Sequence, residues 1–408
     1  MSSGTIGAPR RIAFVEFAPS GGLFQFTAQL AEALAERGHE VHLYTGPDPE
    51  LTSRHARFTI HGVLPTWHPM DTEVRSTALR KARRVVRAGR LALAWLLLVL
   101  VHLRKLKPDL VVWSTWPHSI DALGALLADR VLKGSMLGMV AHEPRLVKRS
   151  NSTTYKRGPV LDRALPAAWR RLDIAFVLAD DARTRLLDRF TPRGPVVTIP
   201  HGDESALRNG AVPLPVAGTG PVALFFGTWT AYKGIDVLLD SWVEVRRRVP
   251  DATLVVAGGV AGVDLPALRR RAESVGGVEC RPGYVRREDV PELFNRARVV
   301  VTPYLRASQS GVVHLAYTFE RPVVASAVGD IPQVVVDGRT GLLVPPGDAA
   351  ALADALAAVL TDGKRAHQLG QAGAAWLTAE ASWGVVAERF EAGLAQAVEA
   401  RAEQSLAH

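Results

Sequence analysis

The stretch that decides the fold is residues 298–326, RVVVTPYLRASQSGVVHLAYTFERPVVAS. An apolar run rich in valine is followed by a short polar run at 308–311, a segment of helical length and a second apolar run, PVVAS. The two apolar runs predict strands that are buried on both faces, as in a parallel sheet covered by helices. The polar turn between strand and helix is a place where main-chain N–H groups at a helix start can bind phosphate.

Short apolar runs alternate with longer helix-patterned segments along the whole chain. Examples are RIAFVEF, EVHLYT and DLVVWST in the first half, and PVALFFG, ATLVVAG and RVVVTP in the second. This alternation predicts an α/β protein with two doubly wound, Rossmann-like domains. The uncharged, Gly/Pro/Ala-rich segment 209–221 predicts a linker between a first domain at 1–208 and a second at 222–381. The helix-patterned tail, 382–408, is expected to cap either domain or to cross back to the first.

Length, charge and cysteine content narrow the class of protein. A chain of 408 residues suits two domains of about 200 residues each. The single cysteine, Cys280, excludes an intrachain disulfide and fits a reducing cytosol, and no apolar signal precedes the first strand. Residues 1–200 have 29 Lys/Arg against 17 Asp/Glu, a balance of +12, whereas 201–408 have 20 against 23. The first half is therefore expected to face nucleic acid, a membrane surface or a phosphorylated substrate.

Two loops at predicted strand ends contain candidate phosphate-binding residues. Gly21 and Gly22 lie between the first strand and its helix, where glycines let main-chain amides approach a phosphate. The G-x-G-x-x-G dinucleotide signature is absent, and an ordinary tight turn accounts for this pair equally well. Lys233 precedes an amphipathic helix and can reach a phosphate as a point charge, although a lone lysine is more commonly solvated. Trp229 and Tyr232 in the same loop favour a binding function.

Several stretches together resemble the family-4 retaining glycosyltransferases of the GT-B fold. They are PSGGLFQFTAQLAEALAERGHEVHLYT, LKPDLVVWS, VVTIPHGD, FGTWTAYKGIDVLLDSW, GYVRREDVPELFNRARVVVTPY and RPVVASAVGDIPQVVVDGRTGLLVPPGD, in the family's order and over most of the chain. The resemblance implies two Rossmann-like domains that face a cleft, with the acceptor on the first and a nucleotide-sugar donor on the second. The run SQSG further resembles a subgroup of lipid-linked-sugar mannosyl- or glucosyltransferases.

The resemblance also implies the residues of the donor site. Lys233 would neutralise the donor diphosphate, main-chain N–H groups of the loops would bind it, and residues 284–285 would line the nucleobase pocket. The implied donor-binding residues are Gly21, Gly22, Gly227, Thr228, Lys233, Tyr284, Val285, Ser310 and Gly311.

The chain departs from the family's pattern in its acidic residues. Many members have two glutamates eight residues apart, one holding the transferred sugar and one the ribose, and these positions are here Ala307 and Leu315. Thr228 replaces an arginine that is common after the glycine. The contacts to the donor sugar therefore do not carry over, and an atypical or impaired site stays open. Glu320, the nearest carboxylate, is expected to be solvated.

Two histidines follow predicted strands of the first domain. His142 stands where the family often has a histidine facing the cleft, and His118 ends the preceding strand. Together with Lys233 they are the catalytic candidates, by hydrogen bonding near the reacting sugar, and each histidine could instead be a structural residue that caps a strand end. The candidate acceptor-binding residues are Arg145, Lys148 and Arg149. No His/Cys/Asp cluster has zinc-site spacing, so we expect no metal and no cofactor.

The basic segment 75–107 surrounds an apolar run, LALAWLLLVLVHL, of thirteen residues. A bilayer span needs about 20 apolar residues, so we expect this run not to cross. A core helix accounts for the apolar part, whereas an interfacial helix on an anionic membrane surface accounts for the basic residues as well. Trp95 is its only aromatic residue, which disfavours binding of nucleic acid.

The combined expectation is a cytoplasmic glycosyltransferase, peripheral on the inner face of the plasma membrane. It would move a hexose from GDP-mannose or a UDP-sugar to an anionic or lipid-linked glycan acceptor. Two alternatives remain at this point: a sugar-nucleotide epimerase or phosphorylase on the same fold, and a catalytically impaired partner subunit that binds nucleotide or membrane.

Overall fold

The computed structural model describes residues 8–66, 77–116, 118, 120–142, 159–307 and 309–406, which divide into two compact units. The first unit contains the described residues up to Pro200 together with the C-terminal segment from Trp383, and the second is His201–Ser382. Each unit is a parallel sheet with helices around it, so the two predicted doubly wound domains are confirmed. The tail belongs to the first unit, which is one of the placements that the sequence left open.

The first unit contains a seven-stranded parallel sheet in the order β3-β2-β1-β4-β5-β6-β7. Its strands are β1 (Arg11–Val15), β2 (Glu40–Tyr44), β3 (Phe58–His61), β4 (Leu110–Trp113), β5 (Met136–Ala141), β6 (Ile174–Val177) and β7 (Val196–Thr198). Its α-helices are α1 (Gly22–Glu36), α2 (Thr77–Leu96), α3 (Arg104–Leu106), α4 (Asp121–Val131), α5 (Pro159–Trp169), α6 (Asp180–Leu187) and α14 (Trp383–Leu406). The continuous apolar runs from which the strands were predicted do not include β3, because this edge strand, FTIH, has only four residues and alternates apolar with polar ones.

The C-terminal helix α14 is held in the first unit by one aromatic side chain in particular. Phe390 is fully buried, with its ring centroid 4.3 Å from that of Phe176 on β6 and 6.0 Å from that of Phe14 on β1. Gly393, almost one turn later, lets the helix approach β6 and β7, because an added Cβ would lie 3.0 Å from the Phe176 ring and 3.1 Å from Val197. The apolar stripe of α14 therefore completes the cover of the first sheet.

The second unit contains a six-stranded parallel sheet in the order β10-β9-β8-β11-β12-β13. Its strands are β8 (Val222–Phe226), β9 (Thr253–Gly258), β10 (Val278–Pro282), β11 (Val299–Thr302), β12 (Val323–Ser326) and β13 (Gly341–Val344). Its α-helices are α7 (Ile235–Arg248), α8 (Leu265–Val275), α9 (Val290–Arg296), α10 (Gly311–Thr318), α11 (Ile331–Val334), α12 (Ala349–Thr361) and α13 (Gly363–Ala381). The opening stretch of the sequence is therefore β11, α10 and β12.

The division between the units comes earlier in the chain than the predicted linker at 209–221. Residues 201–208 belong to the second unit because they are hydrogen-bonded to α10: Arg208 donates to the carbonyl oxygen of Thr318 at 2.9 and 2.6 Å. The Gly/Pro-rich segment itself is fixed by Arg321, whose buried guanidinium donates to the carbonyl oxygen of Leu214 at 2.8 Å. Turn composition alone did not reveal these contacts.

Helix α2 continues through a π-helical turn at Leu97–Leu103 into α3. Among the described residues, Val85–Leu106 is the one helical stretch long and apolar enough to cross a membrane, judged by length and composition alone (22 residues, mean hydropathy 1.8). This stretch is longer than the thirteen-residue apolar run seen in the sequence, because it also includes the residues on either side of that run, among them the arginines at its start. One face is buried in the first unit, where the Trp95 indole N–H donates to Asp121 Oδ1 at 2.9 Å. Crossing a bilayer would break this packing.

Gly370 of α13 provides a stability test of the packing around α10. An added Cβ at Gly370 would overlap the carbonyl oxygen of Glu320, in the turn that links α10 to β12. We expect Gly370→Ala to lower the free energy of unfolding of the second unit by about 1–3 kcal/mol, the usual cost of overpacking. Gly220→Ala is the matched control, since no atom lies within 4 Å of its added Cβ. Urea unfolding of both variants measures the difference, and equal midpoints would contradict this account.

Candidate functional site

The candidate site of the second unit lies where the strand order of its sheet reverses. Strands β8 and β11 are neighbours there, and their carboxyl ends lead into the loops that contain Gly227 and 309–311. In open parallel sheets, ligands bind outside the carboxyl ends of strands at such a reversal. The sheet topology therefore brings together two segments that are more than 80 residues apart in the sequence.

Lys233 projects over the end of β8. Its ammonium nitrogen lies 3.0 Å from where a Cβ on Gly227 would be, and Val312 of α10 lies 3.8 Å from the same point. The ammonium also lies 3.5 Å from Tyr304 Oη and 5.0 Å from the centroid of that ring, within cation–π range. The predicted residues Gly227 and Lys233 are thus brought next to the first turn of α10.

The approach of these segments depends on glycine at two further positions. Gly234, at the start of α7, has φ of 69°, and a Cβ there would overlap the carbonyl oxygen of Pro303. Gly258, at the end of β9, has φ of 143°, and a Cβ there would overlap the carbonyl oxygen of Gly227. Both positions therefore require a residue without a side chain.

The first turn of α10 presents main-chain N–H groups at the same edge of the sheet. Ser310 is the N-cap residue, with extended backbone (φ −142°, ψ 103°) and no side-chain cap. Its hydroxyl oxygen and Gln309 Oε1 are buried, and neither has a hydrogen-bond partner within the described residues. A helix start beside a lysine ammonium is an electropositive position that favours an anion.

The remaining predicted donor residues of the second unit lie along the same edge. Tyr284, 49% exposed, and Val285 follow β10, and the Gly283 N–H that precedes them donates to Gly258 O at 2.9 Å. Two strand spacings, about 10 Å, separate β10 from β8. Thr228 is exposed directly after Gly227. The structure thus places Tyr284 and Val285 about two strand spacings from the end of β8, along the same edge of the sheet.

A carboxylate and two histidines that were not predicted lie on the other flank of α10. An added Cβ on Gly311 would be 3.0 Å from His201 Cε1 and 3.4 Å from Glu204 Oε1. His314, on α10 itself, makes a 2.8 Å hydrogen bond to Gly202 O, and its ring centroid lies 5.1 Å from that of His201. Burial lowers the pKa of His201 to about 4 and that of His314 to about 3, so both rings are neutral at neutral pH.

In the first unit, the predicted residues also follow adjacent strands: the 21–22 loop follows β1, His118 follows β4 and His142 follows β5. His142 is only 9% exposed, and its ring packs edge-on against Phe26 at 4.6 Å. His118 is exposed, and its main-chain N–H donates to Asp121 Oδ2 at 2.6 Å.

The amide of Gly21 is already hydrogen-bonded within the first unit. It donates to Glu50 Oε2 at 3.0 Å, and the Gln25 side-chain amide donates to both Glu50 oxygens at 3.1 Å. The neighbouring Gly22 has open space around it. A phosphate at this loop would approach Gly22, because the N–H of Gly21 is already donated to the Glu50 carboxylate.

Two buried carboxylic acids of the first unit escaped the sequence analysis. Glu16, 3% exposed, accepts the Ala18 N–H at 2.9 Å and is hydrogen-bonded to the Ser114 hydroxyl, and burial raises its pKa. Burial also raises the pKa of Asp121 to about 7, against hydrogen bonds from Trp95 and His118 that favour the carboxylate. For Glu16, the sequence did contain a signal, because an acidic residue stands within the apolar strand run RIAFVEF.

Several predicted residues lie outside the described part of the chain. They are the acceptor candidates Arg145, Lys148 and Arg149, and Ser308 of the opening stretch. Among the described residues, no group of three or more His, Cys, Asp or Glu is arranged to hold a metal ion. The expectation of a reaction without metal stays a prediction.

Asp121 offers a test of the electrostatics of the first unit. Its pKa of about 7 in the folded protein is above its ordinary value of 3.8, so the folded state holds the proton more tightly than the unfolded chain. Folding stability should therefore fall as the pH rises from about 4 to 7, by at most about 4 kcal/mol from this residue. In Asp121→Asn we expect this decline to shrink, as measured by the melting temperature at pH 5 and pH 8. Asp188→Asn, an exposed control in the same unit, should keep the wild-type profile; an unchanged profile in Asp121→Asn would refute the assignment.

Comparison with protein families gives a match in each half of the chain. Residues 20–204 match the model described as Glycosyltransferase Family 4, and residues 220–362 match Glycosyl transferases group 1. The matched segments contain the loops at Gly227 and 309–311 in the second unit, and the 21–22 loop, His118 and His142 in the first.

Relatives with named activities point the same way. The chain is 30% identical over 244 residues to a GDP-mannose-dependent alpha-(1-6)-phosphatidylinositol monomannoside mannosyltransferase of Mycolicibacterium smegmatis, covering 55% of this chain and 63% of that protein. It is 26% identical over 319 residues to the mannosyltransferase of the same name from Mycobacterium tuberculosis, covering 71% and 77%. A D-inositol 3-phosphate glycosyltransferase of Corynebacterium diphtheriae is 33% identical over 229 residues, covering 54% and 50%. The chain thus spans less than two thirds of the length of two of these relatives.

Solved structures with the same architecture cover nearly the whole chain. A sucrose-phosphate synthase from Thermosynechococcus elongatus superposes with a TM-score of 0.69 at 23% identity, over 96% of this chain and 100% of that one. HepE of Anabaena in complex with UDP-glucose gives a TM-score of 0.65 at 15% identity, over 95% and 99%. At these identities the likeness shows the fold, GT-B. The two family matches add that residues 20–204 and 220–362 are each similar to glycosyltransferases.

Proposed function

We propose that the protein transfers a hexose from a nucleoside-diphosphate sugar to an anionic or lipid-linked glycan acceptor, with retention of anomeric configuration. The observation that supports this most directly is the position of the Lys233 ammonium, over Gly227 and beside the first turn of α10. An ammonium and a helix start at one point of a sheet edge suit a diphosphate. The same groups would stabilise the charge that develops as the nucleoside diphosphate leaves.

The other predicted residues take roles around this point. Ser310 and Gly311 offer main-chain N–H groups to phosphate, and Tyr284 and Val285 hold the nucleobase. On the first unit, Gly22 offers a main-chain N–H group to a phosphate, whereas the N–H of Gly21 is already donated to Glu50. Thr228 borders the site of the second unit. On the first unit, His118 and His142 hydrogen-bond to the acceptor near the reacting sugar.

GDP-mannose is the first donor to test. Two of the relatives are named as GDP-mannose-dependent mannosyltransferases, and the chain matches one of them over 77% of its length. UDP-sugars are the second class, because a protein of the same fold was solved with UDP-glucose. An epimerase or phosphorylase would use a sugar nucleotide or sugar phosphate without a lipid-linked acceptor, and an impaired partner subunit would bind nucleotide without turnover.

Calorimetric titration with GDP and UDP tests the donor site. We expect one of the two to bind the wild type, and Lys233→Ala to weaken it at least tenfold, because a charge-assisted hydrogen bond contributes about 1.5–3 kcal/mol. Lys364→Ala, an exposed lysine of the same unit, is the matched control and should bind as the wild type does. Incubation with the corresponding sugar nucleotide and lipid-linked acceptors then detects sugar transfer.

Two outcomes would contradict the proposal. Absence of binding by either nucleotide would remove the donor site. Binding of nucleotide without transfer or hydrolysis of the donor would favour the impaired partner subunit.

We further propose that the protein lies on the cytoplasmic face of the plasma membrane through Val85–Leu106. The outer face of this helical stretch is an apolar stripe, each residue of which is 42–69% exposed: Val85, Val86, Leu93, Leu96, Leu100 and Val101. Arg104, Lys105 and Lys107 are exposed at its end. Apolar side chains enter the headgroup region while the basic ones attract anionic lipid, each by about 1 kcal/mol. The buried inner face favours a helix that lies on the membrane over one that crosses it.

Vesicle flotation tests this surface. We expect the wild type to float with vesicles that contain phosphatidylglycerol, and less with purely neutral vesicles or in high salt. Leu93→Glu combined with Leu100→Glu should reduce binding at least tenfold, because two exposed leucines lose their insertion. Val212→Glu combined with Val243→Glu places the same charge on exposed apolar positions of the second unit and should leave flotation unchanged. Equal flotation of the two double variants would exclude this stripe as the membrane contact.

A further inference from the structure

We infer that Tyr304 is a positioning residue for Lys233: its ring holds the lysine ammonium near Gly227 and leaves the positive charge to the donor diphosphate. This inference rests on the proposed function and adds the group that fixes where the diphosphate is bound. Tyr304 follows β11 and is only 3% exposed, whereas Lys233 ends the short 3-10 turn Ala231–Lys233. The two residues stand 71 positions apart in the sequence, so only the fold brings them together.

The main chains around these two residues are joined at two points. The Leu305 N–H donates to the carbonyl oxygen of Tyr232 at 2.8 Å. Gly234 packs so closely against the carbonyl oxygen of Pro303 that an added Cβ would overlap it. The two contacts flank the lysine on one segment and the tyrosine on the other, one residue to each side. They therefore set where both side chains begin.

The two side chains meet beyond these main-chain contacts. Lys233 Nζ lies 5.0 Å from the centroid of the Tyr304 ring, inside the limit of about 6 Å for a cation–π interaction. The same nitrogen lies 3.5 Å from Tyr304 Oη, which is longer than an ordinary N–H···O hydrogen bond of about 2.7–3.2 Å. The attraction between the ammonium and the ring is therefore expected to contribute more than the hydroxyl does.

A neutral partner suits a lysine that binds an anion. A carboxylate would also hold the ammonium in place, but it would offset the positive charge and repel a phosphate. An aromatic ring attracts the cation through its quadrupole and has no net charge. Within the part of the chain that the structure describes, Lys233 makes no ion pair. Its full charge is therefore available to a diphosphate.

The contact also restricts a flexible side chain before the ligand arrives. A lysine has a long, flexible stem, and ordering it on binding costs conformational entropy. The Tyr304 ring is itself fixed, because it packs in the hydrophobic core of the second unit. It confines the ammonium to a point 3.0 Å from where a Cβ on Gly227 would be, which is also 3.8 Å from Val312 of α10. Part of the entropy is therefore lost on folding, which strengthens binding of the diphosphate.

A double-mutant cycle tests whether the ring acts through the ammonium. GDP and UDP are titrated calorimetrically into the wild type, Tyr304→Leu, Lys233→Ala and the variant with both substitutions. We expect Tyr304→Leu to weaken binding of the preferred nucleotide by about threefold or more, and the double variant to bind it as Lys233→Ala does. A loss of packing alone would weaken binding by the same factor in both backgrounds. Tyr304→Met takes the place of Tyr304→Leu in the cycle if the leucine variant does not fold.

The conservative variant Tyr304→Phe separates the ring from the hydroxyl. It keeps the ring and the buried volume, so we expect it to bind the same nucleotide within about twofold of the wild type. Equal weakening in Tyr304→Phe and Tyr304→Leu would assign the positioning to the hydroxyl of the same residue. Tyr317→Phe is the matched control, because it removes another buried tyrosine hydroxyl of this unit, which donates to Thr340 Oγ1 at 2.8 Å. It should bind as the wild type does.

Two results would overturn the inference while leaving the donor site intact. One is wild-type affinity of Tyr304→Leu for the nucleotide, and the other is equal weakening by this substitution with and without the Lys233 ammonium. Failure of the wild type itself to bind GDP or UDP would overturn the proposed function together with this inference, so the two failures are distinguishable.

Discussion

The candidate site of the second unit depends on the close approach of main chains at the carboxyl ends of β8 and β9. Gly227 donates its N–H to Ala257 O at 3.0 Å, and Gly258 lies so near the Gly227 carbonyl oxygen that no Cβ fits between them. A second approach, of Gly234 to Pro303, sets where α7 begins. Lys233 directly precedes Gly234, so this approach sets where its side chain begins, and the ammonium lies 3.5 Å from Tyr304 Oη. No ion pair of Lys233 is found among the described residues.

The two units share a strand order but differ in the charge of the side chains at the strand reversal. At its strand reversal the second unit presents an ammonium and a helix start, whereas the first unit has the carboxylic acids Glu16, Glu50 and Asp121 at or near the corresponding edge. The first half of the sequence nevertheless has an excess of positive charge. Much of it lies in the segment 75–107, which fits a membrane surface or an anionic acceptor.

The helical stretch Val85–Leu106 packs one face against the first unit and exposes the other to solvent. Its inner face is buried, with Trp95 hydrogen-bonded to Asp121, while its outer face keeps leucines and valines in solvent. A core helix would hide both faces, and an independent membrane span would hide neither in the protein. The division between the faces follows from the helical period, and the choice of the buried face follows from the tryptophan.

The sequence by itself determined the two parallel α/β units, most of their strands and the loop positions of Gly227, Lys233 and Gly311, because buried strands and glycine turns are local patterns. The family resemblance was also visible in ordered motifs. Tertiary structure alone decided that β3 joins the sheet, that 201–208 belongs to the second unit, and that Glu16 meets Ser114 and Glu204 meets the first turn of α10. Residues 16 and 114, or 204 and 311, become neighbours only when parallel strands and their helices pack, so no local pattern in the sequence marks their contact.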